Sequence, residues 1–189
     1  DTIIDGNFTD NVVVITADNV NVTGFTIRNA GEALEPDTGV RLENLRNCNI
    51  TNNIIINNCY GILLKESGNN TIADNQVFCA QDWLGIALYH SSNYNTLTNN
   101  TISSGYMAIL LSSSDYNMLN GNKLYSNTFG IRLANSCNNT IVANKISHNT
   151  AGIHIASYHS PGINNLVYHN NFVNNTYQAT DHNTTNIWH

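Results

Sequence analysis

The sequence predicts an all-β chain wound as a single-stranded, right-handed parallel β-helix of about seven coils, each of 22–24 residues. Three observations predict it. First, tetrads of the Gly-Ile-x-Leu type recur at 39–42, 61–64, 85–88, 108–111, 130–133 and 152–155, with starts 22, 24, 23, 22 and 22 residues apart. Second, the text N-T-I-x-x-N-x-I returns between them, as NTIADNQV (70–77), NTLTNNTI (95–102), NMLNGNKL (117–124) and NTIVANKI (139–146). Third, the apolar residues inside each coil alternate with period two, which reads as short strands and not as helices. A fixed period of about 20–30 residues is the signature of a solenoid.

The elements follow in order. NVVV (11–14) and VNVTGFTI (20–27) form a first, diverged coil, lengthened by AGEALEPDT (30–38). Later coils start near 39, 61, 85, 108, 130 and 152, and CNITNNII (48–55) fits the asparagine text with Cys48 in the first slot. Three short strands and their bends fit a coil of 22 residues at about 3.3 Å per residue. Coils stack about 4.8 Å apart, so seven make a rod of about 34 Å. The expectation is one domain over 1–189, as a segment of a longer precursor or a subunit with open ends.

Asparagine supplies 36 of the 189 residues. It is a poor core residue and a poor helix former, so its fixed spacing needs a reason. Stacking the coils puts Asn70, Asn95, Asn117 and Asn139 in one column and Asn53, Asn75, Asn100, Asn122 and Asn144 in a second. A weaker third column holds Asn58, Asn127 and Asn149. Asparagine tolerates left-handed backbone at bends, and its amide donates to one coil while accepting from the next. Such ladders satisfy the backbone groups that a bend leaves unpaired. The isoleucines and leucines of the repeat fill the bore.

Charged residues make up 11% of the chain and the net charge is −6, so no basic patch points to nucleic acid. No apolar run approaches the roughly 20 residues of a membrane helix. Eight triplets read Asn-x-Ser/Thr, at Asn7, Asn21, Asn49, Asn69, Asn99, Asn138, Asn174 and Asn183. They are glycosylation acceptors in a secreted protein, although a chain this rich in Asn and Thr also produces them by chance.

Candidate chemistry is sparse. The carboxylates scatter over the coils, and Glu43 with Lys65 and Arg41 reads as a surface ion-pair group rather than an acid/base pair. His148, His154 and His159 fall near one end and form a candidate Cu or Zn site, without the ligand-spaced pairs of a strong motif. No cofactor is expected. Tyr94 and Tyr116 occupy the same bend position in successive coils, one residue before a ladder asparagine, and form a candidate sugar-stacking platform. Cys59 and Cys79 lie on adjacent coils near one bend and are candidates for an intrachain bridge, with Cys137 a candidate for an interchain one. Cys48, in a ladder slot, is expected to be buried and inert. The outward column Arg41, Leu63, Ala87, Leu110, Arg132 and His154 is expected to make a flat, partly apolar face suited to contact with another rod.

The chain resembles the NosD-like parallel β-helix repeat proteins, which include archaeal cell-surface proteins. The residues that carry the resemblance are NVTGFTIRNAG (21–31), the GI-x-L and NNTI repeats, and YHNNFVNNTYQATDHNTTNIW (168–188). The resemblance implies the β-helix fold and leaves function open among surface proteins, sugar-binding or sugar-cleaving modules, and periplasmic copper handling. The first expectation is a non-catalytic structural protein of a surface layer, sheath or filament. In it, rods polymerise through their ends or outer faces, outside the cell. The alternative is a carbohydrate-binding or polysaccharide-cleaving module with glycan partners. Copper handling stands third.

Overall fold

The computed structural model describes residues 2–31, 37–79, 82–156, 163–182 and 185–189. Every regular element among them is a β-strand. The strands form three parallel sheets of eight strands each, and the chain visits the sheets in rotation. The first sheet runs from Thr2–Asp5 to Asn171–Val173, the second from Val13–Ile15 to Tyr177–His182, and the third from Asn21–Thr23 to Ile187–Trp188. This is the expected β-solenoid of about seven turns. Strand Thr2–Asp5 precedes the first expected coil, and two strands follow the last one.

Most strands of the first and third sheets are three residues long, and only the middle residue faces inward. Ile72, Leu97, Leu119 and Ile141 stack in register in the third sheet, and Val77, Ile102, Leu124 and Ile146 in the first. Most second-sheet strands have six residues and send two side chains inward, as Ile62 and Leu64 do above Ile86 and Leu88. All twelve of these side chains are fully buried, each stabilising the fold by about 1.5–3 kcal/mol. The glycine that opens the repeated tetrad keeps neighbouring coils close. A Cβ on Gly61 would sit 2.6 Å from the carbonyl oxygen of Gly85.

The bends carry the ladders. The residue before each ladder asparagine up to Asn175 has positive φ, as at Asn52, Asn69, Asp74, Asn99, Asn138 and Ala143. The ladder residue then turns its amide along the rod. In the second column the Asn75 backbone N–H and Nδ2 donate to Asn100 Oδ1 at 3.1 and 3.0 Å, and Nδ2 also donates to the Ile50 carbonyl at 2.8 Å. The pattern repeats from Asn100 to Asn122 and from Asn122 to Asn144. The first column runs through Asn70, Asn95, Asn117 and Asn139 in the same way. Cys48 takes the first slot of this ladder, fully buried, its N–H donating to Asn70 Oδ1 at 2.9 Å.

The ladders extend further than the repeat text indicates. Asn139 continues to Asn165 and Asn186, Asn144 to Asn170, and Asn149 to Asn175. The third column breaks after Asn58, where the next coil brings Cys79 to the bend, and resumes where Gly105 N–H donates to Asn127 Oδ1 at 3.0 Å. A short serine ladder also forms, with Leu45 N–H on Ser67 Oγ and Ser67 N–H on Ser92 Oγ.

Two expectations are corrected. Cys59 and Cys79 are not bridged. Phe78 pairs with Ile56, which sets Cys79 beside Asn57 and past Cys59. The Cys59 thiol donates to the Gly31 carbonyl at 3.3 Å, while Cys79 packs toward Gly105 in the following coil. The outer face of the second sheet is also not an open apolar patch. Leu63, Ala87 and Leu110 are buried with Leu84 and Met107, and Tyr60, Tyr89 and Phe129 pack against them. No described helix is long and apolar enough to cross a membrane.

Candidate functional site

The bend between the second and third sheets holds an αL residue in every coil from Asn47 to Asn164. Asparagine fills this position at 47, 69, 138 and 164, and tyrosine fills it at 94 and 116, with φ of 61° and 57°. A bulky residue held at positive φ costs on the order of 1–3 kcal/mol. Two consecutive coils bear that strain. The backbone holds it in place: Tyr94 N–H donates to the Asp115 carbonyl and Tyr116 N–H to the Cys137 carbonyl, both at 3.2 Å.

The two rings stack at 5.0 Å between centroids with planes 7° apart. Tyr94 is 58% and Tyr116 50% exposed, so a broad aromatic surface projects from the rod. Beside Tyr94 lies a cleft of about 100 Å³ lined by Arg46, Glu66, Asn69, Ser91 and Asn93 with Gly68. Gly68 keeps the cleft open, since a Cβ there would meet the Asn93 carbonyl at 2.7 Å. A guanidinium, a carboxylate, two amides and a hydroxyl thus surround one edge of an aromatic platform. That is the combination of stacking surface and convergent polar groups that a sugar ring engages.

The remaining sequence candidates are placed as follows. Glu43 accepts from Lys65 at 2.8 Å and from Arg41 at 2.9 Å, and these bonds hold its carboxyl below the usual range. Both cations therefore occupy the one carboxylate. His148 and His154 stand apart, the first on a bend with Nε2 3.3 Å from Asn174 Nδ2, the second on a second-sheet strand. His159 lies outside the described residues. Among the described residues, no three His, Cys, Asp or Glu side chains converge as a metal site would require. His154 instead joins His182, with ring centroids 5.6 Å apart, and its Nδ1 lies 2.7 Å from Thr180 Oγ1. Arg132 is its register partner on the preceding coil. Burial, then Arg132 and His182, push the His154 imidazole pKa down. The sequence missed this group because 26 residues, and not 22, separate His154 from Thr180.

Burial pushes the Cys79 thiol up to about 12. Cys137 is half-buried, its N–H on Asp115 Oδ1 at 2.7 Å. Of the glycosylation candidates, Asn7, Asn21, Asn69, Asn99 and Asn174 are exposed, Asn49 and Asn138 are half-buried, and Asn183 lies outside the described residues. Asn69, Asn99, Asn138 and Asn174 are each the αL residue before a ladder asparagine. In these four the triplet is the bend motif itself: an αL Asn, a ladder Asn and the Thr that follows it.

Solved structures with the same fold include the periplasmic alginate epimerase AlgG, at 18% identity and a TM-score of 0.67, matched over 91% of this chain and 46% of that one. The Azotobacter vinelandii mannuronan C-5 epimerase AlgE4 A-module matches at 11% identity and a TM-score of 0.64, over 93% and 59%. The Dettilon tailspike protein matches at 19% identity and a TM-score of 0.70, over 85% and 36%. The chain therefore spans between 36% and 59% of the length of these structures. No curated protein matches by sequence. Residues 9–189 match the family described as periplasmic copper-binding protein (NosD), and the chain belongs to that family.

Proposed function

We propose that this chain is a carbohydrate-binding β-helix module that works outside the cytoplasm, with the Tyr94–Tyr116 pair and its cleft as the sugar platform. One observation carries the reading. Two exposed, stacked tyrosines stand in strained positive-φ positions that asparagine fills in neighbouring coils. Strain of this kind concentrates where a side chain is needed for contact rather than for folding. The polar cleft beside Tyr94 supplies hydrogen-bonding partners for sugar hydroxyls. The names of two similar structures specify alginate and mannuronan, which are polysaccharides, and the family and AlgG descriptions both specify the periplasm. The comparisons lend nothing to the surface-layer rod that the sequence put first.

Glu66 is the one carboxylate lining the cleft among the described residues, so the geometry supports binding rather than a two-carboxylate cleavage. The copper named in the family description does not fit the described residues. Copper favours thiolate, thioether and imidazole ligands. Here Cys79 is a half-buried thiol with its pKa pushed up to about 12, Cys48 and Cys59 donate to backbone carbonyls, and His154 has a guanidinium as its neighbour.

Affinity electrophoresis through gels containing alginate, pectin, chitosan, cellulose derivatives or microbial glycans tests the proposal. Retardation by at least one polysaccharide, lost in the Tyr94→Ala/Tyr116→Ala variant at unchanged melting temperature, is expected. Equal mobility of the native chain in all gels would overturn it.

A further inference from the structure

We propose that the outer face of the first sheet carries a second binding site, a cleft for an oxyanion between Lys123 and Lys145. These lysines are direct register partners on adjacent strands. Like charges placed directly opposite across parallel strands repel, and nothing in the fold forces this arrangement. The chain has seven Lys and Arg residues against thirteen Asp and Glu, so carboxylates are the commoner charge. Among the described residues, no carboxylate is a register neighbour of this pair on the sheet. The outward residues above and below the lysines in register are Thr101 and Asn171, and the parallel outward column reads Ser103, Tyr125, Ser147 and Val173. Neither ammonium makes a salt bridge with any described carboxylate.

The lysines flank a cleft of about 280 Å³ that Tyr125, Ser147 and His148 also line. Two lysines, a tyrosine, a serine and a histidine thus border one space. Asn174 Nδ2 lies 3.3 Å from His148 Nε2, which ties the imidazole to the bend beside the cleft. Each of these side chains carries a hydrogen-bond donor, and two of them carry a positive charge with the reach to turn toward an occupant. The chemistry selected is a carboxylate, sulfate or phosphate group, large enough to span two ammonium groups about 5 Å apart in strand spacing. This site is on the first sheet, whereas the tyrosine platform is on the bend between the second and third, so the two are independent.

The test is an amide-resolved NMR titration of the full chain with sodium sulfate, sodium glucuronate and glucose, at constant ionic strength. Saturable shifts confined to residues 123–125 and 145–148 are expected with sulfate or glucuronate and absent with glucose. Tighter binding of glucuronate assigns the site to an acidic sugar, and tighter binding of sulfate to a free oxyanion. Lys123→Gln or Lys145→Gln should each weaken binding about tenfold, and the double variant should abolish it. Both side chains are exposed, so melting temperatures should hold. Shifts that never saturate, equal shifts with glucose, or an unchanged double variant would overturn the proposal.

Discussion

Asn122 gives both its backbone N–H and its side-chain Nδ2 to one atom, Asn144 Oδ1, at 2.9 and 3.0 Å. Its own Oδ1 receives the same two donors from Asn100. Replacing Asn122 with Leu strips the acceptor from two buried donors of Asn100, each worth about 1–3 kcal/mol when orphaned. Asn120 stands two residues earlier in a strand and is outside every ladder. Urea denaturation should therefore place Asn122→Leu at least about 2 kcal/mol below Asn120→Leu. Coincident midpoints would refute the ladder as a source of stability.

Tyr116→Asn restores the residue that other coils use at this αL bend. Relief of backbone strain opposes the loss of one stacked pair, worth about 0.5–1.5 kcal/mol. The variant should melt within a few degrees of the native chain, or above it, while polysaccharide retardation falls. A large drop in melting temperature would make the tyrosine pair a structural element and not a binding one.

The lowered pKa of His154 sets a pH dependence. Its folded value lies below the ordinary 6.5 because of burial, Arg132 and His182. The unfolded chain then binds the proton more readily, so stability is complete above 6.5 and is lost as pH falls through the folded value. Phe129 and Thr180 also contact the ring but carry no charge. Melting temperature should decline between pH 7.5 and 5, and His154→Gln should flatten the decline. An equal slope in both proteins would remove His154 as the cause.

Cys79 should resist alkylation. Cys79 is half-buried, as Cys137 is, but desolvation pushes its thiol pKa up to about 12, so almost no thiolate exists at pH 8. Peptide mass spectrometry after a short native exposure to iodoacetamide should find Cys137 modified well before Cys79. Faster modification of Cys79 would show that its thiolate is not suppressed.

Much of this fold was legible because one coil length governs it. Where 22 residues separate two positions, as with Asn117 and Asn139 or Lys123 and Lys145, counting gives the neighbour directly. The stacking of Tyr94 on Tyr116 was legible for the same reason, since its register is tied to the ladder. Legibility fails where a coil changes length. Asn165, Asn170 and Asn175 follow their partners by 26 residues, and the sequence reading stopped short of them. It fails again where direction matters: Cys59 and Cys79 are close in coil position, but one side chain turns to the preceding coil and the other to the following one. Cover over Leu63 and Leu110 was invisible because alternation marks them outward and gives no information on what packs above.

The stacked ladder has a consequence for growth and loss. Each coil touches only the coils before and after it, and each bend repeats the same donors and acceptors. Excision of residues 117–138 would bring Tyr116 to Asn139 and offer Asn95 the same amide from a new neighbour. All three sheets would close over the gap without a change of phase. The molecule can therefore lengthen or shorten by whole turns, as a spring is cut to size, and the extra residues of a longer coil are taken up where it bends, as between Asn139 and Asn165.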